Sequence, residues 1–281
     1  MKAIVTGAGG FIGAALVNRF VAEGHEVIAV VRRPHSERPG VRAVTHQLGE
    51  PLDEADLAGV DLVVHLAHDL ALGSHARNVA GTMRWFEQGR KAGVPLQVYV
   101  SSYSAHATAP SEYGRAKYSL ETFARDADGI VVRPGLVLGR GGSFGAMTEM
   151  VRTLPIVPIP GGDLRVFVTT IGDVLSVIAS ADRSMAGEIL NVFAPEPIAL
   201  AALMEQTRTA VGGRGLLVSV PASIARPLLT MTAPLSGALR GYKENLAALA
   251  ASQAYAYPSS YARLGLRPRP IEALLAEALA A

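Results

Sequence analysis

The chain has 281 residues, 49% hydrophobic and 18% charged, the profile of a globular protein long enough for one large domain or two small ones. Its formal charge of +2 is small and scattered, so no nucleic-acid footprint is present despite a pI of about 9.0. With no cysteine it excludes disulfides, thiolate metal sites and cysteine nucleophiles, and no run of about 18 apolar residues suggests a membrane-spanning helix.

The first predicted element is an apolar strand over residues 2–6. Because it begins at Lys2 it leaves no room for a signal or transit segment, and a cytoplasmic location is expected. The strand runs into Gly7, Gly10 and Gly13 and then a helix over 11–23. Gly7 permits a sharp turn, Gly10 a close backbone approach to phosphate, and Gly13 tight packing of the helix on the sheet. The free N–H groups and positive dipole end of that helix then face the anion, as a dinucleotide pyrophosphate requires. Gly24-His25 ends the helix and Glu26–Val31 forms the second strand.

Further buried strands are predicted at Val41–His46, Asp61–Leu66, Leu96–Ser101 and Ile130–Arg133, with helices over 74–92 and 111–127. This alternation predicts an α/β fold with a doubly wound parallel sheet and ligands at the carboxyl ends of the strands. The glycine turn, Leu66-Ala67-His68, Ser101-Ser102 and Arg133-Pro134-Gly135 all fall at such ends.

The second half is less regular. Pro155, Pro158, Pro160, Gly161 and Gly162 predict a loop-rich stretch, followed by a strand over 165–170 and a helix capped by Asp173. A strand at Ile189–Phe193 and a helix over 199–211 come next, and the alanine-rich tail from Ala247 reads as packed helix. The apolar stretch 222–240, interrupted by Pro227 and Pro234, reads either as a kinked core helix or as an amphipathic lid or partner surface. The division expected is a dinucleotide-binding domain of 1–133 with 166–186, and a smaller, mostly helical substrate-binding region of 134–165 with 187–281.

Tyr113 and Lys117 stand four residues apart on one face of a predicted helix. A free tyrosine, with a pKa near 10, is a poor acid–base group at neutral pH, and a nearby ammonium favours its phenolate. Ser102, at the end of the preceding strand, is placed to hold a carbonyl oxygen while the tyrosine donates its proton.

The chain resembles the extended branch of the short-chain dehydrogenase/reductase superfamily, the epimerase/dehydratase-like enzymes. The resemblance covers nearly the whole chain. It rests on Thr6-Gly7-Ala8-Gly9-Gly10-Phe11-Ile12-Gly13, Asp61–Ala67, Asn78–Thr82, Ser101-Ser102, Tyr113/Lys117, Arg133-Pro134-Gly135, Arg165–Val174, Glu188–Val192 and Leu264–Pro268. It implies a Rossmann-type fold with Ser102, Tyr113 and Lys117 as catalytic triad. Tyr113 is then the acid/base, Ser102 its orienting partner, and Lys117 the residue that binds the nicotinamide ribose and lowers the tyrosine pKa. Asn78 falls where the family carries a helix-breaking asparagine. The cofactor would be held by Gly7, Gly9, Gly10, Phe11, Ile12, Gly13, Leu66, Ala67, His68, Lys117, Arg133 and Pro134, with Gln47 and Leu48 flanking the adenine. NAD-specific relatives place an acidic residue at the end of the second strand; here Val31 is followed by Arg32 and Arg33, which suit a 2′-phosphate. NADP(H) is therefore expected over NAD(H).

Departures from the family narrow the reaction. Dehydratases carry an acid pair after the catalytic strand, where this chain has Tyr103 and Ser104, and only ten residues separate Ser102 from Tyr113. An arginine at the position of Arg165 clamps the diphosphate in nucleotide-sugar relatives, with Arg152 a second candidate, and the bland reading makes Arg165 a structural charge. Tyr103, Leu136, Val137, Phe144 and Met147 suggest a more apolar substrate pocket. His68, His75 and His106 are placed near the cleft mouth and are each read as solvated loop histidines rather than catalytic participants, and no cluster has metal-ligand spacing. The expected activity is NADPH-dependent reduction of a ketone, a nucleotide-linked 4-keto sugar or a hydrophobic carbonyl compound, by hydride transfer and protonation from Tyr113. The alternatives are an NAD-dependent sugar epimerase and a non-catalytic NADP(H)-binding sensor or assembly factor. The partner expected is a small-molecule carbonyl substrate, with no nucleic acid and no membrane, and the resemblance implies a homodimer through the helices over 74–92 and 111–127.

Overall fold

A computed structural model describes residues 1–33, 39–71, 73–221 and 249–280. They form two compact units: Met1–Ala105, Ala116–Arg133 and Gly172–Leu190 in the first, and His106–Arg115, Pro134–Ile171 and the described part of Asn191–Ala281 in the second.

In chain order the first unit begins β1 (Lys2–Thr6), α1 (Phe11–Ala22), β2 (Glu26–Val31), β3 (Val41–Thr45), α2 (Glu54–Leu57), β4 (Leu62–His65), α3 (His75–Lys91) and β5 (Leu96–Val100). Next come α4 (Glu112–Asp126), of which the part from Ala116 belongs to this unit, and β6 (Ile130–Pro134), and later α6 (Ile171–Ala179) and β11 (Ile189–Val192). The seven strands run β11-β6-β5-β4-β1-β2-β3 across one sheet. The pairs β1–β2, β1–β4, β2–β3, β4–β5 and β5–β6 are parallel. The chain moves outward from β1 in one direction through β2 and β3, then returns to β1's other side for β4, β5 and β6. The strand order therefore reverses between β1 and β4, the switch point at which doubly wound sheets bind ligands.

The strands form where the sequence is apolar on both faces, as a sheet covered by helices requires. Ile4, Val5, Val63, Val64, Val98, Val131 and Val132 are fully or almost fully buried. On α1 the buried Gly13, Leu16, Val17 and Phe20 recur at helical spacing and make the face laid on the sheet. Asn78 does not break a helix: it sits in the first turn of α3, which continues unbroken to Lys91.

The second unit holds β7 (Leu136–Leu138), α5 (Gly142–Thr153), β8 (Ile156–Pro160), β9 (Arg165–Val166), β10 (Val168–Thr170), β12 (Ile198–Ala199), α7 (Leu200–Ala210), β13 (Leu216–Val220) and a helix at Ile271–Ala280. Three two-stranded sheets, β7–β10, β9–β12 and β8–β13, surround a core of Leu138, Phe144, Val151, Val157, Leu203 and Leu275. The proline-rich stretch expected as loop is strand β8. Leu216 N donates to Pro155 O (2.8 Å) and Gly161 N to Val220 O (2.7 Å), so odd positions face the partner strand. Pro158 and Pro160 point the other way, where a missing N–H costs no ladder bond.

The strand expected over 165–170 is two, β9 and β10, interrupted at Phe167. Asp173 does not cap α6; it lies within that helix's first turn. The tail is helical at 249–252 and again at Ile271–Ala280, with turns between that bury Tyr255 and Tyr261. The stretch 222–240 lies outside the described residues.

Candidate functional site

The glycine turn sits at the switch point. Gly7 has φ +67°, and a Cβ there would stand 2.8 Å from Ala67 N and Cα, where β4 ends. A Cβ on Gly13 would lie 2.3 Å from Gly7 O, so that position is closed to any side chain. Gly9 differs: its Cβ would meet nothing within 4 Å, and Gly9 and Gly10 are exposed. Gly10 caps α1 without any side-chain hydrogen bond, and the first turn of α1 carries no acidic residue. Open backbone at an uncapped helix start is a cradle for anionic phosphate, and these residues fit a dinucleotide. Phe11 and Ile12, the first residues of that turn, are half-buried.

Thr6 received no role from sequence reasoning, yet it joins the two strands at this point. Its Oγ1 accepts from Leu66 N (3.1 Å) and Ala67 N (3.2 Å), holding the end of β4 against the end of β1. A polar residue closing an apolar strand before the glycines was the available signal.

At the end of β2, Val31 is buried while Arg32 and Arg33 are exposed. Gln47 is exposed and its Nε2 donates to Arg32 O at 3.4 Å; Leu48 is half-buried and packs against the cluster around Ile28 and Trp85. Sequence spacing offered no metal-ligand set, but the fold brings ligand atoms of His46, Asp53 and Asp56 within 4.8 Å of one another. Asp56 is already ion-paired there with Arg42.

Leu66, Ala67 and His68 follow β4 and are half-buried. His68 is not a solvated loop histidine. Burial first, then the positive charge of Lys117 and His75, lowers its pKa to about 3, so the ring is neutral at ordinary pH. Its Nε2 lies 3.3 Å from Asn78 Nδ2. Asn78 Nδ2 also donates to Asp69 O (2.8 Å) and Ser74 Oγ (3.0 Å), and its Oδ1 accepts from Asp69 N (2.7 Å). That asparagine therefore organises the loop between β4 and α3. His75 opens α3 half-buried, and His106 stacks on Tyr255 with centroids 4.1 Å apart, so neither is simply solvated.

Ser102 lies just past β5, half-buried, with its Oγ 3.0 Å from Ser104 Oγ. Tyr103 is half-buried too, and burial pushes its phenol above the ordinary range despite the opposing charge of Arg133. Tyr113 and Lys117 both stand on α4, one turn apart. Tyr113 is half-buried, whereas Lys117 is 4% exposed. Its Nζ donates to Val100 O at 2.7 Å and lies 5.0 Å from the Tyr99 ring centroid. Burial lowers the lysine pKa to about 8, and Glu121 opposes that shift.

Arg133 lies next to the end of β6, and its guanidinium is held by Glu121 rather than presented as an open cation. Nε donates to Oε1 at 2.8 Å and the second nitrogen to Oε2 at 2.5 Å. Pro134 is buried. In the second unit, Leu136 and Val137 on β7 are half-buried, but Phe144 is 0% exposed inside the core. Phe144 is thus a packing residue of α5 and not part of a pocket wall. Met147 packs on the same core. Arg165 is exposed, donates from its guanidinium to Pro197 O, and is bracketed by Gln253, which accepts from Arg165 N (2.9 Å) and donates to Arg165 O (2.8 Å). Arg152 pairs with Glu149 at 2.5 Å.

Residues 3–155 match the NAD dependent epimerase/dehydratase family. Over 134 residues, 45% of this chain and 38% of the relative, the sequence is 36% identical to 2-alkyl-3-oxoalkanoate reductase of Stenotrophomonas maltophilia (strain K279a). Over 131 residues, 40% of this chain and 42% of the relative, it is 30% identical to UDP-glucose 4-epimerase of Mycolicibacterium smegmatis (strain ATCC 700084 / mc(2)155). The chain thus spans about two fifths of the length of these curated relatives. Among solved structures, MoeE5 in complex with UDP-glucuronic acid and NAD superposes with a TM-score of 0.69 at 24% identity, over 79% of this chain and 86% of that one. That likeness shows the fold.

Proposed function

The chain belongs to the NAD dependent epimerase/dehydratase family, and within it we propose an NADPH-dependent ketone reductase. The observation that carries the choice is the exposed Arg32/Arg33 pair following β2, whose last residue is Val31 rather than a carboxylate. Two guanidinium groups pair a 2′-phosphate through charge-assisted, bidentate hydrogen bonds, which are stronger than any they donate to uncharged ribose hydroxyls. A reductant drawn from a cellular pool suits a reductase, whereas an epimerase retains its cofactor and regenerates it.

The glycine turn with Phe11 and Ile12, Leu66, Ala67 and Lys117 would hold the dinucleotide. When bound in reduced form, it supplies the two electrons of the reduction. Tyr113 is assigned to protonate the developing alkoxide, and Ser102 to hold the carbonyl oxygen. The Lys117 ammonium, fixed on Val100 O, favours the phenolate left on Tyr113 after that donation. A ketone with apolar substituents is the favoured substrate, supported by the 36% identical relative named for reducing 2-alkyl-3-oxoalkanoates. A nucleotide-linked 4-keto sugar is the second class. The identity to UDP-glucose 4-epimerase keeps epimerisation as the alternative reaction. The Tyr113/Lys117 pair weighs against a purely cofactor-binding role.

Fluorescence titration with NADPH and with NADH tests the assignment. Tighter NADPH binding supports it, whereas NADH preference, or protein purified with NAD already in place, shifts the reading to epimerisation. Tyr113→Phe should abolish ketone reduction with cofactor affinity nearly unchanged, and surviving turnover would remove Tyr113 from the mechanism.

A further inference from the structure

Asp56, on α2, carries an anionic oxygen that the fold buries and leaves without a donor. The residue is 4% exposed, and its Oδ2 has no hydrogen-bond partner among the described residues. The other oxygen, Oδ1, accepts from the guanidinium of Arg42, a side chain half exposed to solvent. A buried carboxylate oxygen with nothing to bind costs free energy, and its presence in a folded protein calls for an occupant. The neighbours of Asp56 indicate which. His46 follows the end of β3, half-buried, with its backbone N–H bonded to Val31 O at 3.0 Å. Asp53 lies just before α2, exposed, and its carboxylate does not bond back to that helix. One ligand atom each from His46, Asp53 and Asp56 stands within 4.8 Å of the other two.

We propose that His46, Asp53 and Asp56 bind a divalent transition-metal ion of the zinc class, a site that stands apart from the reductase reading. One imidazole nitrogen with two carboxylate oxygens suits Zn2+, whereas Mg2+ and Ca2+ take oxygen ligands. Ligand atoms bonded to a tetrahedral zinc ion at about 2.0–2.2 Å stand about 3.3–3.5 Å from one another. Small side-chain rotations therefore close the three groups around an ion, and water completes its coordination. The Arg42 contact fits this arrangement, because a metal-bound carboxylate is ordinarily hydrogen-bonded through its other oxygen. Two carboxylates against one guanidinium also leave these four side chains net negative. β3 is the last strand of the sheet, and α2 has four residues, too few to hold a helix by its own hydrogen bonds. An ion on all three ligands joins the end of that strand to α2, beside Gln47 and Leu48.

The test uses the full chain without an affinity tag, stripped by a chelator and free of cofactor. It is titrated with Zn2+ by calorimetry and with Co2+ by visible absorption. The wild type should bind one Zn2+ per chain with a Kd in the micromolar range or tighter, and give a Co2+ spectrum of four-coordinate type. Zn2+ should also raise its unfolding temperature. His46→Gln and Asp53→Asn alter a half-buried and an exposed side chain, so both variants should fold. Each should raise the Zn2+ Kd at least tenfold and lose the rise in unfolding temperature. Asp56→Asn, combined with Arg42→Gln so that no guanidinium is stranded, should weaken binding likewise. Millimolar Mg2+ should leave the Zn2+ Kd unchanged. Absence of saturable Zn2+ binding, or a Kd that either His46→Gln or Asp53→Asn leaves unchanged, overturns the proposal. Neither NADPH binding nor ketone reduction is read here, so the outcome is independent of the reductase reading.

Discussion

Two glycines two residues apart should respond to alanine in opposite ways. Gly7 has φ +67°, and the new Cβ would stand 2.8 Å from Ala67 N and Cα and 2.9 Å from Leu66 C, all backbone atoms of the β4 end. A left-handed conformation costs an L-residue roughly 1–2 kcal/mol, and an overlap that only a backbone shift relieves costs roughly 1–3 more. Gly7→Ala should therefore destabilise the protein by roughly 2–5 kcal/mol, a fall in Tm of roughly 5–15 °C for a protein of this size. At Gly9 the added methyl meets nothing within 4 Å, and φ is outside the positive range. Stability should change by less than about 0.5 kcal/mol. The same methyl would occupy the open cradle assigned to the pyrophosphate, so NADPH affinity should fall roughly tenfold or more, equivalent to about 1.4 kcal/mol. Calorimetry without cofactor and an NADPH fluorescence titration on each variant separate the two effects. A Gly9→Ala protein that loses as much Tm as Gly7→Ala, or that binds NADPH as tightly as wild type, would refute the assignment of the turn.

Arg32→Ala/Arg33→Ala alters two exposed side chains, so Tm should barely move while the Kd for NADPH rises roughly 10–100-fold and that for NADH stays put; an equal loss for both cofactors would count against 2′-phosphate recognition. His65 is buried with its pKa lowered to about 4, mainly by burial and against the Gln97 hydrogen bond, while the unfolded chain titrates near 6.5. Between those values the unfolded state binds a proton that the folded state refuses, so stability should fall on acidification from pH 6.5 to 4, by on the order of 3 kcal/mol from this group. Urea midpoints across that range should fall less steeply for His65→Gln, and identical slopes would dismiss the assignment. Phe144→Ala should cost about 3–5 kcal/mol by emptying the core of the second unit without changing NADPH affinity; an unchanged Tm with an altered substrate KM would return Phe144 to the pocket wall.

The parallel sheet is legible in the sequence because strands buried on both faces appear as unbroken apolar runs, and those ending at Thr6 and Val100 are cut by Gly7 and by Ser101-Ser102. The glycine turn is equally legible, since only glycine satisfies a positive φ at Gly7 and a 2.3 Å approach at Gly13. The second unit is harder to read. Its strands run from two to five residues, and β8 carries prolines whose harmlessness depends on which side faces β13, a fact of register rather than composition. The same limit applies to single side chains. Position along the chain places Arg133 at a strand end and Phe144 after the corner that follows it, but not the direction in which each side chain points. Phe144 turned into a core, and Arg133 turned to Glu121. Glu121 shows the converse. Its spacing from Tyr113 and Lys117 was visible from the outset, but a carboxylate on a helix is ordinarily a solvated charge. Its burial is explained only when β6 delivers a guanidinium to both its oxygens inside the protein. The residues most informative about the chemistry are those whose pattern is local and whose partner is distant.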